Sequence, residues 1–371
     1  MASKSLKLLL ALTFGVFFTF GTQNLYAQET PAHAEGEHAE AEFNAGETII
    51  HHVLDSHEFH FFDMGDFHAT LPLPIIVYSP ERGLSVFSSS KFEHGHAAYE
   101  GYKLAENKIV AVNTDGSVNE EAKLYDLSLT KNVVQMFIGV ILLLVIMLNV
   151  AKKYKVRGSD SAPTGFQNAI EPVITFVRDD VAKPNLSGKH DKYLPYLLTV
   201  FFFILINSII GLIPGSANVT GNIAFTGILA VISLIVILIS TNGHFWGHIF
   251  WPPGVPFLVK LILIPVELLS IFIKPAALMI RLFANMTAGH IVILSFVSLI
   301  FIFGQMSTVA GWGFTPVSIA FSVFIYMIEI LVAFIQAFIF TNLTAVFIGQ
   351  AFESGHGHDE HGGHHNEEIF A

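Results

Sequence analysis

The chain has 371 residues, of which 52% are hydrophobic and only 13% charged, against about 25% charged in an ordinary soluble domain. Together with apolar blocks longer than any buried core helix, this excludes a soluble globular protein. Cysteine is absent, which excludes disulfides, thiolate zinc sites and a cysteine nucleophile.

Lys4 and Lys7 precede an apolar stretch from Leu8 to Phe20, after which Gly21 to Ala27 turns small and polar. That is the pattern of a secretory signal over residues 1–27. Cleaved after Ala27 or kept as an anchor, it sends the following segment out of the cytoplasm. Residues 28–128 contain 18 Asp or Glu and five Lys or Arg, more than the chain's whole net charge of −11. They are expected to form an acidic, His-rich extracytoplasmic module. Its start, "ETPAHAEGEHAEAE", has the composition of a disordered segment. Further on, "LPLPIIVYS", "GLSVFSSS" and "KIVAVNTDGSV" are rich in β-branched residues and bounded by Gly, Pro or Asp-Gly, which predicts short strands.

The first membrane helix is predicted over Asn132 to Val150; the basic "AKKYKVRG" after it marks the cytoplasmic side. "PTGFQNAIEPVITFVRDDVAKP" mixes apolar residues at helical spacing with five charges. It is too polar to span and reads as an amphipathic helix on the cytoplasmic face. Two further spans follow, roughly Tyr193 to Ile213 and Ile223 to Ser240. The loop "TNGHFWGHIFWPPGVP" then places Trp246 and Trp251 at headgroup level.

Two apolar blocks remain, Phe257 to Phe303 and Pro316 to Phe352, of 47 and 37 residues. As helices they would measure about 70 and 55 Å, where an upright span needs about 20 residues. Either they break, with Pro265 and Pro275 as candidate sites, or they lie steeply tilted as a hairpin, which is the reading adopted. The linker "GQMSTVAGWGFT" has the composition of its turn. Five crossings put the tail, residues 353–371, in the cytoplasm. The expected fold is thus an all-α integral membrane protein, residues 129–352 forming the membrane domain, with a small strand-containing module outside.

Between Leu194 and Phe352 the only Asp, Glu, Lys or Arg residues are Lys260, Glu267, Lys274, Arg281 and Glu329. Lys260 is near a helix end and can snorkel. A charge at the bilayer centre costs about 2.5–3.5 kcal/mol, so the other four need a polar cavity or a partner. Glu267, Lys274 and Arg281 recur every seven residues and form one helical stripe, which Asn285 extends. His290, nine residues past Arg281, falls near the opposite face. Glu329 and Gln336 share a face of the last helix. An ion pair of Glu329 with Lys274 or Arg281 is one reading of the set. The other is a proton path: Arg281 stays protonated and can hold a carboxylate ionised, while His290 and Glu329 titrate and can pass protons through water.

"KPAALMIRLFANMTAGH" followed by "FIQAFIFTNLTAVFI" resembles the C-terminal half of subunit a of the rotary F-type ATP synthases, supported by "PTGFQNAIEPVITFV", "GLIPG", "NVTGNIAFT" and "PVELLSIFIKP". The resemblance covers residues 130–352. It implies an ion-channel stator subunit of a bacterial inner membrane, coupling proton flow to ATP synthesis. Its partners would be a c-subunit ring, the b subunits of the peripheral stalk, the remaining subunits and membrane lipid, with no nucleic acid. No cofactor or metal is implied, and no catalytic site for ATP chemistry lies in this chain. Arg281 would face the ring's carboxylate between two half-channels, with Asn285 and Gln336 flanking it. Glu267 would serve the cytoplasmic half-channel, and His290 with Glu329 the extracytoplasmic one. Many bacterial relatives carry the acid and the histidine of that pair in exchanged positions, and many have glycine in place of Ala284. The resemblance says little about residues 1–128.

Two alternatives stand beside it. Eighteen histidines, clustered in "IIHHVLDSHEFHFFDMGDFH" and "HGHDEHGGHH", fit a divalent-metal transporter with His-rich tails. Against this, Arg281 would repel a metal cation. A purely structural anchor explains the spans but leaves the intramembrane charges without a purpose.

Overall fold

The computed structural model describes residues 45–352, apart from residues 65–66, 96, 106–107, 114–116, 120–121, 159–164, 214, 252–253 and 255. The signal sequence, the low-complexity segment and the His-rich tail lie outside the described residues. The chain divides into two compact units: residues 56–131 form one, and residues 45–55 join residues 132–352 in the other.

The smaller unit is built from short antiparallel strands. β1 (Glu58–Met64) pairs with β2 (Phe67–Pro72). β3 (Pro74–Ser79) lies between β4 (Gly83–Ser88) and β8 (Tyr125–Asp126). β5 (Ala98–Tyr99), β6 (Tyr102–Ala105) and β7 (Lys108–Ala111) form a third sheet. The strands expected from "PIIVYS", "GLSVFS" and "KIVA" are present as β3, β4 and β7; β1, β5, β6, β8 and most of β2 were not anticipated. Alternation along β3 turns Ile75 and Val77 inward, as a half-buried strand requires. They meet Phe92, Tyr102 and Ile109 in a core of their own. Arg82 donates to the carbonyls of Gly101 (2.7 Å) and Val112 (3.3 Å), tying the turn before β4 to the third sheet. His57 is buried and bonds Asp126 at 2.8 Å. Burial alone would raise the Asp126 carboxyl, but the bonds from His57 and Ser128 outweigh it and hold it at about 2.

The larger unit begins with helix α1 (Ala45–Val53), a helix the sequence reading did not foresee. α2 (Lys131–Arg157) is longer than the predicted span, because the basic residues after Val150 continue the helix. The main chain of Asn132 in its first turn donates to Asp55 Oδ1 at 3.2 Å, satisfying one otherwise orphaned N–H. The amphipathic helix runs through α3 (Gln167–Phe176), a wider π-helical turn (Val177–Ala182) and α4 (Lys183–Leu186). The helix widens just before Pro184, which has no N–H to offer. Its buried side is Val177, Val181, Ala182 and Leu186. On its outer side Asp179 binds Arg178 and Lys183 at 2.9 and 2.7 Å, and these bonds hold its carboxyl well below the usual range.

Five more helices follow: α5 (His190–Gly211), α6 (Ile223–Ser240), the short α7 (Gly243–Phe250), and the pair α8 (Phe257–Met306) and α9 (Thr308–Phe352). α6 matches its predicted bounds because Asn222 caps it, accepting from the main chain of Ala224 and Phe225. Among the described residues five helices are long and apolar enough to cross a membrane: α2, α5, α6, α8 and α9. Neither Pro265 nor Pro275 breaks α8. With 50 and 45 residues, α8 and α9 measure about 75 and 68 Å, so they must incline steeply to keep their apolar length in a hydrocarbon core of about 30 Å. The expected twelve-residue turn between them is replaced by one extended residue, Ser307, and the rest of that linker is helical. Its glycines serve close packing instead: a Cβ on Gly311 would come within 2.8 Å of Gly304 Cα.

Candidate functional site

The site is assembled on α8 and α9, and the depth of α8 is fixed by polar ties that an apolar medium makes costly to break. Asn218 Nδ2 donates to the Met286 carbonyl at 3.1 Å, and Thr287 Oγ1 donates to the Gly221 carbonyl at 3.2 Å. Both partners belong to the short helical turn between α5 and α6. Leu278, Leu282 and Met286, on one side of α8, are almost fully buried. Gly227 of α6 is where the two helices approach; a Cβ there would lie 3.3 Å from Met279 Sδ.

On another side of α8, Ala277, Ala284, Asn285 and Ala288 are exposed and Arg281 is half-buried among them. Among the described residues Arg281 forms no ion pair or hydrogen bond. A guanidinium is therefore presented on a surface of methyl groups, which a flat apolar partner can approach closely.

On α9, Glu329 and Gln336 are buried, two turns apart on one face, with Ala333 between them. The Glu329 carboxyl packs against the Cα of Gly289, where an added Cβ would overlap it. Its Oε2 is buried and has no hydrogen-bond partner among the described residues. An open cleft of about 360 Å³ runs between the helices, lined by Asn285, Ala288, Gly289, Ile328, Glu329 and Gln336 among others. The structure thus brings together three residues singled out from the sequence, Asn285, Glu329 and Gln336. It adds Gly289, whose only sequence signal is a glycine inside a helix next to His290. His290 is 9% exposed and does not line this cleft; it follows directly on the glycine that receives Glu329.

The remaining charges stand apart. Neither Lys274 nor Arg281 pairs with Glu329, so the ion-pair reading fails among the described residues. Lys274 leans instead toward the end of α9, with Nζ 3.5 Å from Gln350 Oε1 and 5.0 Å from the centre of the Phe347 ring. Glu267 is half-buried, fourteen residues or about 21 Å along the helix from Arg281. Lys260, near the start of α8, reaches back to Trp251. It is 8% exposed and holds its ammonium 4.0 Å from the centre of the Trp251 ring, a cation–π contact that replaces water.

A family model described as ATP synthase A chain matches residues 133–349, and one described as a domain of unknown function matches residues 48–127. The chain is 40% identical over 319 residues to ATP synthase subunit a of Chloroherpeton thalassium, covering 84% of this chain and 79% of that one. It is 39% identical over 338 residues to ATP synthase subunit a of Chlorobium phaeobacteroides, covering 90% and 82%. To the Myxococcus xanthus subunit it is 39% identical over 250 residues, covering 65% and 78%.

Proposed function

The chain belongs to the ATP synthase A chain family and is the proton-channel stator subunit of that enzyme's membrane sector, and we propose that Arg281 is the fixed charge dividing its channel in two. One observation carries this reading: a half-buried arginine, with no acidic partner among the described residues, on a face of small side chains. A permanently charged guanidinium in the membrane requires a counter-charge. The partner that supplies it is a carboxylate on a rotating ring of c subunits, moving past the alanine face.

Ionisation of that carboxylate is favoured as it comes opposite Arg281, so each arriving subunit gives up its proton there. The same charge repels a proton trying to pass straight across the membrane. On one side of the barrier, His290 and Glu329 load the ring from the extracytoplasmic space, passing protons between an imidazole, a carboxylate and water in the cleft. On the other, Glu267 marks the route to the cytoplasm. Asn285 and Gln336 flank the arginine and keep its approach hydrated. The same reading places the module outside the cytoplasm and the tail inside, with the b subunits of the peripheral stalk holding the chain still against the ring. Metal transport has no support from the comparisons.

The test is Arg281→Ala in the complex reconstituted into vesicles. Ion-driven ATP synthesis is expected to stop while passive proton leak through the membrane sector rises. Normal synthesis by the variant would sink the divided-channel reading.

A further inference from the structure

The outward face of the β4-β3-β8 sheet carries no charge. Strand register puts Ile76 opposite Val86, Tyr78 opposite Leu84, and Tyr125 opposite Tyr78. Leu127 continues the row, its N–H donating to the Ile76 carbonyl. Period-two alternation sends all six side chains to the same side, away from Ile75 and Val77. Leu84, Val86, Tyr125 and Leu127 are each more than half exposed, and Tyr78 is 44% exposed. The two tyrosine rings lie 6.3 Å apart. The one acid on these strands, Asp126, is turned to the other face, where it binds His57. A contiguous apolar patch of this kind marks an interaction surface rather than a solvated one.

We propose that this face rests on the lipid bilayer, with Tyr78 and Tyr125 at headgroup depth. Three features favour lipid over a protein partner. First, Leu127 is four residues before Lys131, where the first membrane-crossing helix begins, so the patch is tethered within about 14 Å of chain of that helix. The other end of the module shares the tether, because the main chain of Lys131 donates to the Ser56 carbonyl at 2.9 Å. Second, the composition is that of the membrane interface, aliphatic side chains with tyrosines among them. A protein partner would be recognised by charges or amides around and among the apolar groups; here the exposed charges Glu81, Arg82 and Lys123 stand only at the ends of the strands, and none lies within the patch. Third, the module is otherwise acidic. An anionic leaflet repels its charged surfaces and leaves the uncharged face as the side free to approach.

The natural chain has no cysteine, so single reporter thiols can be placed cleanly. Leu84→Cys, Leu127→Cys and, as a control in the third sheet, Lys108→Cys are labelled with a polarity-sensitive fluorophore in the full chain reconstituted into phosphatidylcholine–phosphatidylglycerol vesicles. Nitroxide-bearing lipids should quench the labels at 84 and 127 several-fold more than the label at 108. Aqueous iodide should do the reverse, and adding Leu127→Glu should return iodide access to the label at 84. Iodide quenching at 84 and 127 equal to that at 108 would overturn the proposal. So would shielding from both quenchers, which would assign the face to a protein partner.

Discussion

The carboxyl group of Glu329 lies against the Cα of Gly289, with no room for a side chain between them. A buried acid is therefore seated on the backbone of one helix while belonging to another, one residue from a histidine that is 9% exposed. Inside a helix Gly→Ala ordinarily stabilises by about 1 kcal/mol; at this position the methyl group would displace the carboxyl. Gly289→Ala should therefore lower proton-driven ATP synthesis in vesicles by at least about tenfold, in keeping with the cost of misplacing a reacting group. Adding Glu329→Asp, which withdraws the carboxyl by one methylene, should restore part of the rate. Wild-type rates in Gly289→Ala would show that the seat is not needed.

If His290 and Glu329 act together, exchanging them should be tolerated better than altering either. The double variant His290→Glu with Glu329→His is expected to retain more ATP-driven proton pumping than each single variant. Losses that simply add would mean two independent sites.

Asn218 joins three features at once, bonding the Met286 carbonyl, the Gly221 main chain and Thr220. Asn218→Ala should cost about 1–2 kcal/mol, the worth of one or two buried bonds, read as a lower unfolding temperature of the purified chain in detergent. Because these bonds set the depth of Arg281, coupling should fall further than stability does. A variant with unchanged melting and coupling would remove the turn from the account.

The His57–Asp126 pair should make the smaller unit acid-sensitive. Asp126 is held at about 2 against an ordinary 3.8. Its carboxylate is thus favoured in the folded state, and the stabilisation is present above pH 3.8 and lost as pH falls toward 2. Asp126 is partly exposed, so solvent screening reduces the contribution to about 1 kcal/mol. Asp126→Asn should raise amide exchange at β3 and β8 about fivefold near neutrality, the equivalent of that energy. The difference from the natural chain should shrink steadily between pH 4 and 2. A difference that persisted unchanged into that range would exclude the pair as its source.

The membrane part was legible because its signals are long and physical. Runs of Leu, Ile, Val and Phe exceed the bilayer thickness, and Asn222 and Thr241 delimit α6 with ordinary capping chemistry. The turn between the last two helices was misread because glycine and serine break helices in water. In an apolar medium the backbone must satisfy itself, so the helices continue and the glycines become points of close approach. In the smaller unit, strands of two residues such as β5 and β8 carry no period to detect. Asn285, Glu329 and Gln336 stood out as polar exceptions in apolar helices. Gly289 did not, since a glycine acts through what it allows beside it, and that neighbour is forty residues away in the chain.

The single residue joining α8 to α9 works as a ruler. Glu329 meets Gly289 only because each lies a set number of residues from Ser307, and the near contact of Gly304 with Gly311 removes slack beside the joint. One residue inserted there would advance α9 by about 1.5 Å and turn it by about 100°, sending Glu329 out of its seat. A change in chain length at the hairpin tip is thereby felt in the cleft as a change of phase, though no residue of the cleft has been altered.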